Sequence, residues 1–392
     1  MIKNKIIIQN LLLSILTLII SLSVLEIIAN QYLKANKLIE KLDNTGRIIA
    51  NKNSENIGCF DKDLGWGFRP NSQGRRDNSD FQVKYYINSK GNRDKEAASE
   101  KPSVVFRVIA LGESTVFGEG VNYGKRYTEI IEDSLANVEV VNMGVWGFGP
   151  DQSLLQLKRD GFQFHPDAVA LFALNDFFDR CKYVSRRGSM KPRFILNPAK
   201  KGIILQDLQF VKKTFEAPSA YKKQPTKEST NSILAASKLM QLLNYNVKIR
   251  EINKSNKGAD KDYWRQVYKD LADERKYMGE YSEEDFRKLI YFILQQYSVV
   301  CKERGVDFLL VQTDISDQFR LKDICRELNI TYLDLSQVLS RASKIKPLTF
   351  DIDPHYNDYT HKVIGEYVSD YLGKKYSLQK AKGYVYEYLG KL

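Results

Sequence analysis

The chain has 392 residues, 43% of them hydrophobic, and a formal net charge of +12 at pH 7. That is enough for a sizeable core in one large domain with insertions or in two domains, and it excludes a disordered chain. The positive charge would suit an anionic partner, but no helix-turn-helix, RNP or zinc-finger pattern accompanies it; a lysine-coated solvated face accounts for it, and nucleic acid is not expected.

Residues 6 to 25, IIIQNLLLSILTLIISLSVL, are uncharged and at about 1.5 Å per residue match a bilayer's hydrocarbon thickness. A membrane anchor through residues 6–28 is expected. Lys3 and Lys5 precede the run and Glu26 follows it, which puts the N-terminus in the cytoplasm and the rest outside, periplasmic or extracellular. Ala29 makes a poor cleavage site, so an uncleaved single-pass anchor is preferred to a signal peptide. Residues 29 to 57, rich in Asn and Lys, read as a helical stalk, and 58 to 94 as a small β-rich lead-in with alternating segments such as FQVKYYI. A charged linker follows at 96 to 101.

Beyond it the pattern becomes alternating strand and helix. Strands are predicted at 106–112, 138–144, 168–174, 307–313 and 331–335, mostly continuous apolar runs suited to parallel strands covered on both faces. Helices are predicted at 124–136, 150–162, 283–304, 317–328 and 358–372, the third opening with Ser282 and Asp285 as a capping pair. This alternation predicts a doubly wound α/β fold with a parallel five-stranded sheet. Residues 180–281 interrupt it: a lysine-rich insertion with a hairpin at KPRFILNPAKKGIILQDLQF and helical segments after it. The domains are then 1–28, cytoplasmic stub and anchor; 29–100, stalk and lead-in; 101–375, the α/β domain with its insertion; and 376–392, a C-terminal tail.

Cys59, Cys181, Cys301 and Cys325 have no C-x-x-C spacing, and with three histidines in the chain a metal site is not expected. An exported location permits disulfides in three pairings, although Cys301 and Cys325 sit on apolar helix faces and read as buried thiols.

Open parallel sheets place ligands at the carboxyl ends of their strands. Ser114 follows the first strand in VIALGESTVFGEGV, and NMGVWGFG with Gly147 follows the second. LFALND with Asn175 follows the third, and DIDPHYNDYTH, with Asp351, Asp353, His355 and His361, lies beyond the fifth. A serine hydroxyl attacks esters when an imidazole takes its proton, and a carboxylate fixes that imidazole's tautomer. Ser114, His355 and Asp353 can supply these parts, with the N–H of Ser114, the N–H of Gly147 and the Asn175 amide as oxyanion donors. Each piece alone has a plainer reading: a helix cap for Ser114 or Asn175, a turn glycine, a surface histidine. Their joint occurrence in order at strand ends favours the catalytic one.

These four blocks, GES, N-x-G-x-x-G, ALND and D-x-H-x-N-x-x-x-H, resemble the SGNH or GDSL hydrolases over about residues 102–175 and 283–372. The lead-in FRPN…INSKGNRD is similar to that of membrane-anchored bacterial members. The resemblance implies a flavodoxin-like sheet, no cofactor, and acyl hydrolysis or transfer by the serine. Glu113 stands where the family has Asp and Ala173 where it has Gly, and neither supplies a catalytic atom in the family mechanism; Thr360 stands where a Gly is common. Ile352 occupies the usual acid position, three before the histidine, leaving Asp353 two before or Asp351 four before. Pro354 favours an extended Asp353, whose side chain then shares a face with His355. His361 falls in the first turn of the last helix and reads as structural. Val116 rules out a G-x-S-x-G elbow, and no G-x-G-x-x-G follows the first strand.

The expected function is a membrane-tethered serine esterase of the bacterial inner membrane, acting on acyl esters, acetyl foremost, of an envelope glycan or lipid. An O-acyltransferase using the same residues and an acyl-donor partner is the alternative. A catalytically silent glycan-binding protein is the third.

Overall fold

The computed structural model describes residues 2–35, 57–77, 80–98, 100–186, 189–214 and 281–392. The chain divides into two compact units, Met1–Lys52 with Lys222–Arg265, and Asn53–Tyr221 with Gln266–Leu392.

In the first unit the described element is one helix, α1 (Ile2–Ala35). Among the described residues no helix is long and apolar enough to cross a membrane. This corrects the expected anchor through residues 6–28. It also corrects what was built on the anchor: the likeness to anchored bacterial members, the tethered esterase, the membrane as partner, and the single-pass inner-membrane location. The stalk expected beyond α1, up to residue 56, lies outside the described residues.

The second unit opens with two hairpins. β1 (Gly58–Asp61) pairs with β2 (Gly65–Phe68), and β3 (Ser72–Asp77) with β4 (Gln82–Ile87), both antiparallel. Along β4, Val83, Tyr85 and Ile87 point inward while Gln82, Lys84 and Tyr86 point out, the period of two expected for a half-buried strand. The inward side chains pack with Leu64, Phe68 and Phe81 against Phe117, Val145 and Phe148. These hairpins therefore lie directly against the segments that follow the first two core strands.

Those core strands are β5 (Phe106–Leu111), β6 (Val138–Asn142) and β7 (Ala168–Ala173). Between and after them come α2 (Ser114–Phe117), α3 (Tyr127–Ser134), α4 (Pro150–Asp160) and α5 (Asn175–Asp179). The insertion contributes β8 (Ser185–Arg186), β9 (Ser189–Met190), β10 (Arg193–Leu196), β11 (Ile203–Gln206) and α6 (Leu208–Thr214). β10 and β11 form the antiparallel hairpin expected there; the helical segments expected at 215–280 lie outside the described residues. The core resumes with α7 (Glu283–Lys302), β12 (Asp307–Gln312), α8 (Leu321–Glu327), β13 (Thr331–Asp334), α9 (Ser336–Ala342) and α10 (Asp358–Tyr376).

The central sheet has the order β13–β12–β7–β5–β6, and every pairing is parallel. Numbered along the chain this is 2-1-3-4-5, the flavodoxin-like order. Ile109 and Leu111 of β5 face a core built with α4, α7 and α8, whereas Val108 and Ala110 face one built with α3, α9 and α10. Both faces are thus dry, which is why these strands read as unbroken apolar runs. At the chain's end the backbone N–H groups of Glu387, Tyr388 and Leu389 donate to the carboxylate of Glu366 on α10.

Candidate active site

β5 ends at Gly112, where φ is +154° and a Cβ would overlap the Val116 side chain and come within 2.8 Å of the Phe172 carbonyl oxygen. Only glycine lets the chain turn this sharply off the strand. Glu113 then caps α2, its carboxylate accepting from the Thr115 N–H at 3.1 Å and the Thr115 hydroxyl at 2.6 Å. The buried guanidinium of Arg93 donates to the carbonyls of Phe117 at 3.0 Å, Gly118 at 2.5 Å and Val121 at 2.6 Å, fixing the loop beyond α2. Ser114 sits on this braced turn at the carboxyl end of the sheet.

The segment before α10 folds back over the same end. Asn357 accepts from the Thr360 N–H to cap α10, and its own amide donates to the Pro347 and Thr349 carbonyls. A backbone bridge from Phe350 N to the His355 carbonyl oxygen closes the loop. His355 Nε2 lies 2.8 Å from Ser114 Oγ, and His355 Nδ1 lies 2.5 Å from Asp353 Oδ1, which also accepts the His355 N–H at 3.0 Å. Burial pushes the Asp353 carboxyl up, but the His355 hydrogen bond and charge, then the Arg76 charge, outweigh it and hold the group below the usual carboxylate range. Asp353 therefore stays ionised and can fix the ring's tautomer. Asp351 is exposed.

The glycine segment after β6 and the start of α5 border the same region. Gly147 has φ +71°, and a Cβ there would sit 3.1 Å from Cδ and Nε of Arg186 on β8. The Asn175 side-chain amide donates to the carbonyl and hydroxyl of Ser316, at 3.0 and 3.2 Å, and its backbone N–H donates to Asp314. In this structure the Asn175 amide is thus engaged with the loop after β12.

Several site residues carried no signal in the sequence. The Ser114 hydroxyl also contacts the Glu113 carboxylate, so its one proton has two acceptors in reach. Arg180 approaches Glu113 at 3.6 Å and pairs with Asp176 at 2.5 Å, and the charges of Arg180, Arg186 and His355 all act on Asp176. On the other side, Arg76 of β3 donates to Asp353 Oδ2 at 3.3 Å, and Asp80 accepts from the backbone of Ile352 and Asp353. The only local hint was the GES substitution, since an acidic residue just before a short helix is a recognisable cap.

His361 is fully buried, stacked on Tyr127, with Nδ1 accepting the Tyr127 N–H at 3.2 Å. Burial first, then the charges of Arg126 and Arg93, push its pKa down to about 3, so it is neutral and packed away from Ser114. The four cysteines are free thiols, with Cys181, Cys301 and Cys325 buried. Among the described residues no group of three or more His, Cys, Asp or Glu could hold a metal ion.

The fold and site together define an α/β protein of flavodoxin-like strand order with a Ser–His–Asp hydrogen-bonded chain at the carboxyl ends of its strands. No protein-family model and no curated protein matches the sequence. Among solved structures, the chain is similar to a variant of an acetyl-xylooligosaccharide esterase from Geobacillus (12% identity, 70% of this chain and 97% of that one, TM-score 0.36). It is also similar to a lipolytic protein of the G-D-S-L family from Veillonella parvula (12%, 68% and 97%, 0.34), and to a lipase/acylhydrolase from Enterococcus faecalis (10%, 71% and 100%, 0.34). Likeness of this degree carries no argument about activity; the fold rests on the strand order and the site on its own geometry.

Proposed function

We propose that the chain is a carboxylic-ester hydrolase that works through an acyl-enzyme on Ser114. The observation that carries the reading is the 2.8 Å approach of His355 Nε2 to Ser114 Oγ, with an ionised Asp353 on the ring's other nitrogen. Ser114 Oγ attacks the ester carbonyl carbon as its proton passes to His355 Nε2. The resulting imidazolium is stabilised by Asp353, and the oxyanion is held by the N–H groups of Ser114 and Gly147. Asn175 joins them when its amide turns from Ser316. His355 then protonates the leaving alkoxide as the C–O bond breaks. Water, deprotonated by His355, releases the acid and restores Ser114.

The test is a panel of p-nitrophenyl esters of increasing acyl length, assayed with the full chain beside Ser114→Ala. Hydrolysis that falls by at least about 10³-fold in the variant supports the reading, since a missing nucleophile leaves only binding and the oxyanion donors. Equal turnover by both proteins contradicts it.

A further inference from the structure

We infer that Arg76, on the β3–β4 hairpin, is a positioning residue of the Ser114–His355–Asp353 chain, holding the second oxygen of Asp353 so that the first stays on the imidazole. The inference rests on the ester-hydrolase reading and deepens it. Asp353 is 3% exposed and divides its carboxylate between two tasks. Oδ1 accepts from the ring and backbone of His355, while Oδ2 meets Arg76 Nη2 at 3.3 Å. Arg76 is itself held by a braced partner and an aromatic ring. Its Nη1 pairs with Glu119, which is 1% exposed; Tyr85 of the same hairpin donates to that glutamate at 3.0 Å; and the guanidinium lies 5.6 Å from the centre of the Phe81 ring. A second hold comes from the hairpin's turn, where Asp80 Oδ2 accepts the N–H of Ile352 at 3.0 Å and of Asp353 at 2.7 Å. Side chain and backbone of the acid are thus both gripped by a hairpin some 270 residues earlier in the chain.

The consequence is electrostatic as well as geometric. A carboxylate shared with a guanidinium offers the imidazole part of its charge, and a freed one offers all of it. Once Arg76 is neutralised, an imidazolium beside Asp353 is held more tightly and gives up its proton only at higher pH. The other charges facing this chain are Glu113 at Ser114, Asp176, Arg180 and Arg186 on the opposite rim, and Glu119 and Asp80 behind Arg76. None of them is altered when Arg76 alone is exchanged.

The experiment follows the rate of Ser114 labelling by a fluorophosphonate against pH, in the full chain and in Arg76→Lys and Arg76→Gln. Arg76→Gln is made alone and with Glu119→Gln, so that a neutral variant exists without an uncompensated buried glutamate. Arg76→Lys keeps the charge, and its acid-limb midpoint is expected within a few tenths of the wild type. Arg76→Gln alone is expected to shift the midpoint upward by about one pH unit, the double variant, which also loses the Glu119 charge, by less, and both to lower the plateau rate by about 10- to 100-fold. A purely structural tether would lower the melting temperature and leave the midpoint in place. Normal labelling of the wild type with unchanged midpoint and plateau in the Gln variants overturns the inference and leaves the ester-hydrolase reading standing. Absence of labelling in the wild type overturns both.

Discussion

His355 and Asp353 meet twice: one carboxylate oxygen of Asp353 accepts the His355 backbone N–H at 3.0 Å and faces Nδ1 of its ring at 2.5 Å. Spacing of two residues makes this possible, because an Asp carboxylate that accepts the backbone N–H two residues on, as in an Asx-turn, lies beside that residue's own ring. Asp353→Asn removes the anionic acceptor and leaves the backbone in place. The kcat of ester hydrolysis is expected to fall by about 10³- to 10⁴-fold, with the far-UV spectrum unchanged. Asp351→Asn, at an exposed position, is expected to stay within about twofold. Reversal of the two effects in a steady-state assay would move the acid to Asp351.

Asn175 offers a second kinetic test because its amide rests on Ser316. If that amide turns to the oxyanion during the reaction, Asn175→Ala lowers kcat by about 10²- to 10³-fold with little change in KM. A loss under about threefold would remove Asn175 from the oxyanion donors and leave that work to backbone N–H groups.

The insertion's root is tied to the core by a buried ion pair between Lys191 and Asp151, both fully buried, with Lys191 also donating to the Arg180 carbonyl at 3.2 Å. Burial raises the Asp151 carboxyl despite the Lys191 charge, so the aspartate depends on its partner to stay ionised. Lys191→Met is expected to destabilise the fold by about 3–5 kcal/mol in urea unfolding, through the uncompensated carboxylate. An unchanged midpoint would mean that the pair contributes nothing to stability.

His361 predicts a pH dependence of stability. Its folded-state pKa is depressed to about 3 by burial and by Arg126 and Arg93, whereas in the unfolded chain it titrates near 6.5. Between those values the unfolded state binds a proton that the folded state refuses. Stability is therefore fully present above about 6.5 and is lost progressively as pH falls towards 3, by an amount on the order of a few kcal/mol. In His361→Asn that part of the slope disappears, and denaturant titrations at pH 7.5 and 5 should then differ less than in the wild type. An identical slope in both proteins contradicts this.

The site's four strand-end segments were legible because their chemistry is local: a glycine that breaks a strand, a serine after it, an acid two residues before a histidine. The five core strands were legible for the same reason, each being an apolar run bounded by turn residues. Arg76 and Asp80 were not, since their partners lie 277 and 272 to 273 positions away and nothing near Arg75 and Arg76 distinguishes them from solvated charge. In the sequence Glu113 stands out only as a departure from a motif, although its carboxylate both caps α2 and touches the serine. The helix predicted from 124 begins at Tyr127, because Gly124 takes φ +86° and Arg126 is extended. α9 was missed because its seven residues are too few to establish a period. The expected membrane span rests on length and hydropathy, and no helix among the described residues is long and apolar enough to cross a membrane.

The central claim is that Ser114 is a nucleophile activated by His355, and covalent labelling tests it most directly. The full chain is treated with a fluorophosphonate at neutral pH and the modified peptide is located by mass spectrometry. The account predicts a single phosphonyl adduct on Ser114, lost in Ser114→Ala and slowed by orders of magnitude in His355→Ala. An adduct on another serine, or equal labelling of Ser114→Ala, would contradict it.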